Sequence, residues 1–242
     1  MTKTLSHPAV LFLHSFSFQS KSLPQTLQQK ERRILLKLKT EWRNPPSLSN
    51  WTMESNGDHC SWPEIICATD GTINGIFLLD KNLSFPIPPS ICDLTNLTHI
   101  DLSWNNTPGP FPISLSNCSN LQYLDFSSNN FVGRLPPDID RLSSLRSFSI
   151  SSNNFTGDIP PEIGHMSNLT MLCLSGNLFN GSVPSEIGDL ENLGFLGLGY
   201  LSIMPQWRIP PEFGRLKKLE TVSICGSNLI GDVGGKNDTY LD

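Results

Sequence analysis

The chain has 242 residues, 38% of them hydrophobic, and a formal net charge of -5. Charged residues make up 16%, well below the roughly 25% usual for soluble domains, which argues against a charge-rich disordered chain; the length suits one ordinary domain or a short solenoid. Residues 1–43 hold 8 Lys/Arg and 2 Asp/Glu, while residues 44–242 hold 9 and 20, so the acidic body argues against a broad nucleic-acid surface.

At the N-terminus Lys3 precedes the apolar run Ala9-Val10-Leu11-Phe12-Leu13, then His14 and a Phe/Ser alternation ending at Phe18. A basic start, a short apolar core and small polar residues near Ser20–Ser22 have the order of a secretory signal, here assigned to residues 1–22, although His14 interrupts the core. No stretch reaches the roughly 18 consecutive apolar residues of a membrane span. Cys60 and Cys67 enclose Ser61-Trp62-Pro63. Zinc would need four ligands and His59 is the only nearby extra candidate, so this pair reads as a disulfide. Cys92, Cys118, Cys173 and Cys225 show no metal spacing, and no metal or cofactor is expected. Cys118 reads first as a small core residue; a bridge to it from Cys92, two phases apart in the adjacent coil, is the second reading. Asn-x-Ser/Thr acceptors occur at Asn50, Asn82, Asn96, Asn105, Asn117, Asn154, Asn168, Asn180 and Asn237. Their number fits a secreted glycoprotein, though an Asn/Ser-rich repeat also raises it by chance.

From Leu97 the chain repeats every 24 residues, with copies starting at Leu97, Leu121, Leu145 and Leu169. Each follows L-x-x-L-x-L-x-x-N, ending at Asn105, Asn129, Asn153 and Asn177. The last two apolar positions lie two apart, the period of a strand, so they point inward and the residues between them outward. The Asn side chain is placed to satisfy backbone groups where the chain leaves the strand, giving a ladder of stacked amides. Gly109, Gly133, Gly157 and Gly181 recur at one phase, where a permissive backbone is expected. Pro112, Pro136, Pro160 and Pro184 follow, and then an inward pair closes each coil: Leu115 with Cys118, Ile139 with Leu142, Ile163 with Met166, Ile187 with Leu190. No coil buries its own edges, so neighbours must stack, at about 4.8 Å per strand.

An imperfect copy runs from Ile73 through Ile76, Leu78 and Asn82 to Leu94. Another starts at Leu193 and is lengthened in residues 199–208. The last starts at Leu219, with Val222, Ile224, Asn228 and Gly231 placed in phase, and fails at Gly234, where Pro is expected. Residues 232–242 carry no core pattern, so this end reads as truncated, without the polar cap a solenoid needs.

The outward strand residues form the concave face of such a stack. Its candidate binding residues are His99, Asp101, Tyr123, Asp125, Arg146, Ser149, Met171 and Phe195, with Trp104 beside them. Aromatic and Arg side chains are the usual anchors of recognition surfaces. His99 and Asp101 share a strand face, but no nucleophile is placed with them, so catalysis is not expected.

The repeat L-x-x-L-x-L-S-x-N-x-F-x-G-x-I-P-x-x-I-G resembles the plant-specific extracellular leucine-rich repeat. Arg33–Lys39, Leu48-Ser49-Asn50-Trp51, Cys60-Ser61-Trp62 and Cys67 resemble the N-terminal cap of that class, here residues 23–70, with the repeats over 71–231. Trp51 and Trp62 are expected to pack inside the cap. Ile91–Leu97, Ile209–Leu219 and the lengthened repeat resemble the HAESA-type receptor kinases. The fold expected is a short α/β-type leucine-rich repeat solenoid, a horseshoe or right-handed superhelix, with a disulfide-containing helical cap. The resemblance implies the N-terminal part of an extracellular or plasma-membrane receptor ectodomain that binds a secreted peptide or protein on its concave face. It also implies a co-receptor in the full-length family. Kinase motifs are absent from this chain. The alternatives are a secreted inhibitor of cell-wall-degrading polygalacturonases and a non-functional truncated receptor.

Overall fold

Helix α1, Gln25–Glu41, forms because Ile34, Leu35 and Leu38 recur on one face and are buried there together with Trp42. Arg43 and Asn44 end it in the left-handed region, at φ 57° and 55°, and Pro45 and Pro46 cannot continue it. The computed structural model describes residues 25–53, 58–201 and 205–230. The expectations for residues 1–22, Asn237, Gly231 and the 232–242 tail lie outside these.

Twelve short strands follow: β1 Ile65–Cys67, β2 Ile73–Phe77, β3 His99–Asp101, β4 Pro108–Gly109, β5 Tyr123–Asp125, β6 Asn130–Gly133, β7 Ser147–Ser149, β8 Asn154–Gly157, β9 Met171–Cys173, β10 Leu178–Phe179, β11 Phe195–Gly197 and β12 Thr221–Ser223. One eight-stranded sheet runs β1-β2-β3-β5-β7-β9-β11-β12. Only β1 and β2 pair antiparallel; the other pairs are parallel and in strict repeat register, Ile100 opposite Leu124, Phe148, Leu172, Leu196 and Val222 in succession. A second, four-stranded parallel sheet runs β10-β8-β6-β4. The L-x-x-L-x-L period does not predict it. On the remaining edge, short 3-10 turns such as Pro161–His165 and Ser185–Asp189 follow a proline, and their Ile163 and Ile187 are buried.

The ladder closes each coil onto the one before it. Asn153 Oδ1 accepts from Phe131 N–H, and its Nδ2 donates to Phe126 O at 2.9 Å and Ile150 O at 3.0 Å. Asn105, Asn129 and Asn177 repeat the arrangement. At the first rung Lys81 stands in place of Asn and sends its Nζ to the Glu64 carboxylate instead, 2.7 Å away. Leu201 takes the rung after Asn177 and is fully buried. In the last coil Ser227 stands at the rung's phase: its Oγ donates to Ile224 O, as each ladder Asn amide donates to the inward residue three positions before it. Behind the ladder a row of rings fills the core, Phe131 to Phe155 at 5.9 Å and Phe155 to Phe179 at 6.5 Å, all stacked.

Gly109, Gly133 and Gly157 have φ of 100°, 84° and 80°, as their phase suggests. Gly181 does not share that conformation; a Cβ there would lie 2.9 Å from the Asp158 Cα, so close backbone approach requires it. In the cap, Trp51 stacks on Trp62 at 5.4 Å. Burial pushes the Glu64 carboxyl up, but hydrogen bonds from Lys81 and Trp51 outweigh it and hold it below its ordinary value. Cys60 bonds Cys67, and Cys92 bonds Cys118, tying the first two full coils together.

Replacing Asn153 by Ala strands the buried Phe131 N–H and removes one of the two amide donors that Phe126 O and Ile150 O each have, the other coming from Asn129 and Asn177. We expect a loss of about 1–3 kcal/mol in reversible denaturant unfolding. A loss below about 0.5 kcal/mol would show that the ladder is not needed for stability.

Candidate functional site

Strict register turns the outward strand positions into two columns. Gly75, His99, Tyr123, Ser147, Met171, Phe195 and Thr221 face each other in one; Phe77, Asp101, Asp125, Ser149, Cys173, Gly197 and Ser223 form the second. Neighbouring strands lie about 4.8 Å apart, so His99 to Phe195 spans roughly 19 Å.

Of the expected residues, His99, Asp101, Tyr123, Asp125, Met171 and Phe195 are brought together on these columns, each half-buried. Ser149 is not available to a ligand. It points to the concave side but is only 4% exposed, enclosed by its neighbours, with its hydroxyl 3.2 Å from that of Ser151. Arg146 lies one residue before β7, outside both columns, and is exposed beside Gln122 and Thr170. Asn105 is likewise corrected as a glycan acceptor. Its side chain is a ladder rung, 7% exposed and fully hydrogen-bonded. The other acceptors within the described residues, Asn50, Asn82, Asn96, Asn117, Asn154, Asn168 and Asn180, are exposed.

Reading the repeat alone missed Phe77, which belongs to the imperfect first copy. Its ring folds across Gly75: a Cβ on Gly75 would sit 2.8 Å from Phe77 Cε2. That bare glycine lets the ring reach His99, 6.2 Å away, and His99 in turn stacks on Tyr123 at 5.7 Å. Thr98 Oγ1 lies 2.8 Å from His99 Nδ1 and fixes the imidazole plane. The result is a continuous three-ring strip across β2, β3 and β5. The signal available beforehand was the phase itself, since Phe77 stands four residues after Ile73 as Asp101 does after Leu97.

Asp101 Oδ1 accepts from the Ser103 N–H and hydroxyl, and Asp125 Oδ1 does the same with Ser127. Both carboxylates are therefore held in one orientation. Tyr123 Oη donates toward Asp125 Oδ2 at 3.4 Å. Burial, and then the charges of Asp125 and Asp101, push the Tyr123 hydroxyl up to about 12. Cys173 is a free, half-buried thiol on the same face. At the rim Trp104 and Tyr200 are 66% and 65% exposed. Both occupy the left-handed position one residue before the ladder rung, φ 56° and 55°, a conformation uncommon for bulky residues.

His59, Cys60 and Cys67 place ligand-type atoms within 4.8 Å of one another, but the two sulfurs are bonded to each other and offer no thiolate. On the opposite edge a shallow groove is lined by Gly188, Asp189, Glu191, Arg215, Lys217 and Lys218. Within it Arg215 pairs with Asp189 at 2.7 Å, and Lys218 donates to the neutral Asn192 side chain. No helix among the described residues is long and apolar enough to cross a membrane.

Residues 28–68 match the leucine-rich repeat N-terminal domain, and residues 96–118, 120–142, 144–166 and 168–190 match the leucine-rich repeat. The Arabidopsis thaliana protein named "Probably inactive leucine-rich repeat receptor-like protein kinase" is 42% identical over 81 residues, 32% of this chain and 9% of that protein. Polygalacturonase inhibitor 1 of Oryza sativa subsp. japonica is 33% identical over 73 residues, 30% of this chain and 22% of that protein. The ectodomain of the Arabidopsis receptor kinase HAESA, solved with an N-terminally extended IDA peptide hormone, superposes with a TM-score of 0.79 at 29% identity. That likeness covers 84% of this chain and 34% of that one. The matched stretches are thus a small part of the curated relatives' length.

Tyr123 is expected to titrate near 12 in an ultraviolet phenolate titration, and Asp125→Asn to bring it down toward 10.0. Since the native value is raised, this contribution to stability is present below pH 10 and is lost as pH climbs toward 12. An unchanged midpoint in the variant would show that the Asp125 charge does not reach the ring.

Proposed function

We propose that this leucine-rich repeat chain is a recognition scaffold, the N-terminal part of a plant extracellular receptor ectodomain. On this reading its concave face binds a secreted peptide or protein. The observation that carries the reading is the set of half-buried aromatic, Met and carboxylate side chains on that face, the stacked Phe77, His99 and Tyr123 with Met171 and Phe195 beyond them. Rigid aromatic anchors on a regular sheet suit an extended ligand crossing the strands. The HAESA ectodomain, solved with the peptide hormone IDA and the co-receptor SERK1, supports the assignment of ligand class, and a co-receptor is a further partner on this reading. Residues 23–70 act as the cap and 71–231 as the binding array, outside the cell or at its surface. The chain is read as non-catalytic. The exposed sequons carry glycans after export directed by residues 1–22.

The second reading, an inhibitor of polygalacturonases, is favoured by the rice relative. The two part on a direct assay. We expect the full chain, with its disulfides formed, to bind members of a panel of synthetic secreted plant peptides. Tyr123→Ala should weaken that binding at least about tenfold, as a buried aromatic anchor does. A chain that binds none of them and inhibits a fungal polygalacturonase would contradict the receptor reading. Glycopeptide mapping of the secreted product should find Asn105 bare while exposed acceptors such as Asn82 and Asn154 are occupied. Modification at Asn105 would contradict its place in the ladder.

A further inference from the structure

The two concave columns carry no Lys or Arg; their full negative charges are Asp101 and Asp125, Cα partners on adjacent parallel strands. Two carboxylates about 5 Å apart repel each other. The fold makes no effort to separate them. Each is pinned by its serine, Ser103 or Ser127, through Oδ1, which leaves Oδ2 of Asp125 toward Tyr123 and the concave space. Directly N-terminal stand the half-buried Phe77 ring and Leu79, 51% exposed at the phase of Ser103 and Ser127. A negative pair therefore adjoins an uncovered apolar step, on a face whose other charges do not answer it.

We propose that this N-terminal end of the concave face selects an extended peptide segment carrying a basic residue, arginine above lysine, with an apolar residue two positions away. The inference rests on reading the concave face as a peptide-binding face, and names what its first strands recognise. A planar guanidinium bridges two carboxylates held side by side and lies against the Tyr123 ring. At the backbone, the middle of the Asp101–Asp125 pair lies about one and a half strand spacings, roughly 7 Å, from the strand end that carries Phe77 and Leu79. In an extended peptide that is the separation of residues i and i+2, whose side chains share one face.

Selection of a phage-displayed library of random short peptides on the full, disulfide-bonded chain tests this, run with and without calcium. Peptides enriched on the native chain should carry Arg or Lys with an apolar residue two places away. Asp101→Asn with Asp125→Asn should weaken them about tenfold. Asparagine Oδ1 still accepts from the serines, so the melting temperature should stay within a few degrees; Asp125→Asn alone should weaken binding less. Enriched peptides without a basic residue, or binding that is weakened by Phe195→Ala but not by the double variant, would overturn the inference and leave the peptide-binding reading standing. Enrichment that needs calcium would assign the carboxylates to a metal and overturn it too. Peptides indifferent to every concave substitution would overturn both.

Discussion

The buried amide after each strand is the interaction on which the rest of this molecule depends. A coil of this repeat leaves its strand through a left-handed residue, and the turn exposes backbone donors and acceptors to a core with no water. One Asn side chain satisfies groups on its own coil and on the coil before it, Asn177 reaching both Leu174 O and Ile150 O. It thus sets both the turn and the stacking distance. Strict register follows, and from it the two straight columns. A slip of one residue in any strand would turn leucines outward and break the columns, so the concave face is a by-product of a packing constraint.

The same constraint decides where side chains are free to vary. The inward positions are committed, as the unbroken line Leu124, Phe148, Leu172 and Leu196 shows. The concave positions are not, and there the chain places rings at its N-terminal end, small residues in the middle and Phe195 beyond. Departures from the repeat are informative in the same way. Lys81 gives up the first rung to anchor the cap through Glu64, and Leu201 gives up a later one where the coil is lengthened. Each replaces an amide rung by a contact suited to what adjoins it.

Much of the fold was legible beforehand because the strand period, the Asn and the closing apolar pair each recur in phase. The second sheet was not, since β4, β6, β8 and β10 are two to four residues long, with one inward ring in each of β6, β8 and β10 and none in β4, too short for periodicity to register. The Cys92–Cys118 bridge was compatible with phase but not demanded by it. The site was half legible. Tyr123 and Phe195 follow from phase, whereas Phe77 depends on a bare Gly75 that no pattern flags. Ser149 and Asn105 misled for opposite reasons. Ser149 points to the right side but is walled in by its neighbours, and Asn105 satisfies two patterns at once, glycan acceptor and ladder rung, of which burial permits only the second.

Hydroxyl-radical footprinting of the full chain, with and without a peptide selected for binding to it, tests the central claim most directly. The account predicts that oxidation of Tyr123 and Met171 slows in the complex while Met53, 56% exposed in the cap, is unchanged. Protection of Met53 or of the 3-10 edge, with Tyr123 and Met171 oxidised as in the free chain, would place the ligand elsewhere and contradict the concave face as the recognition surface.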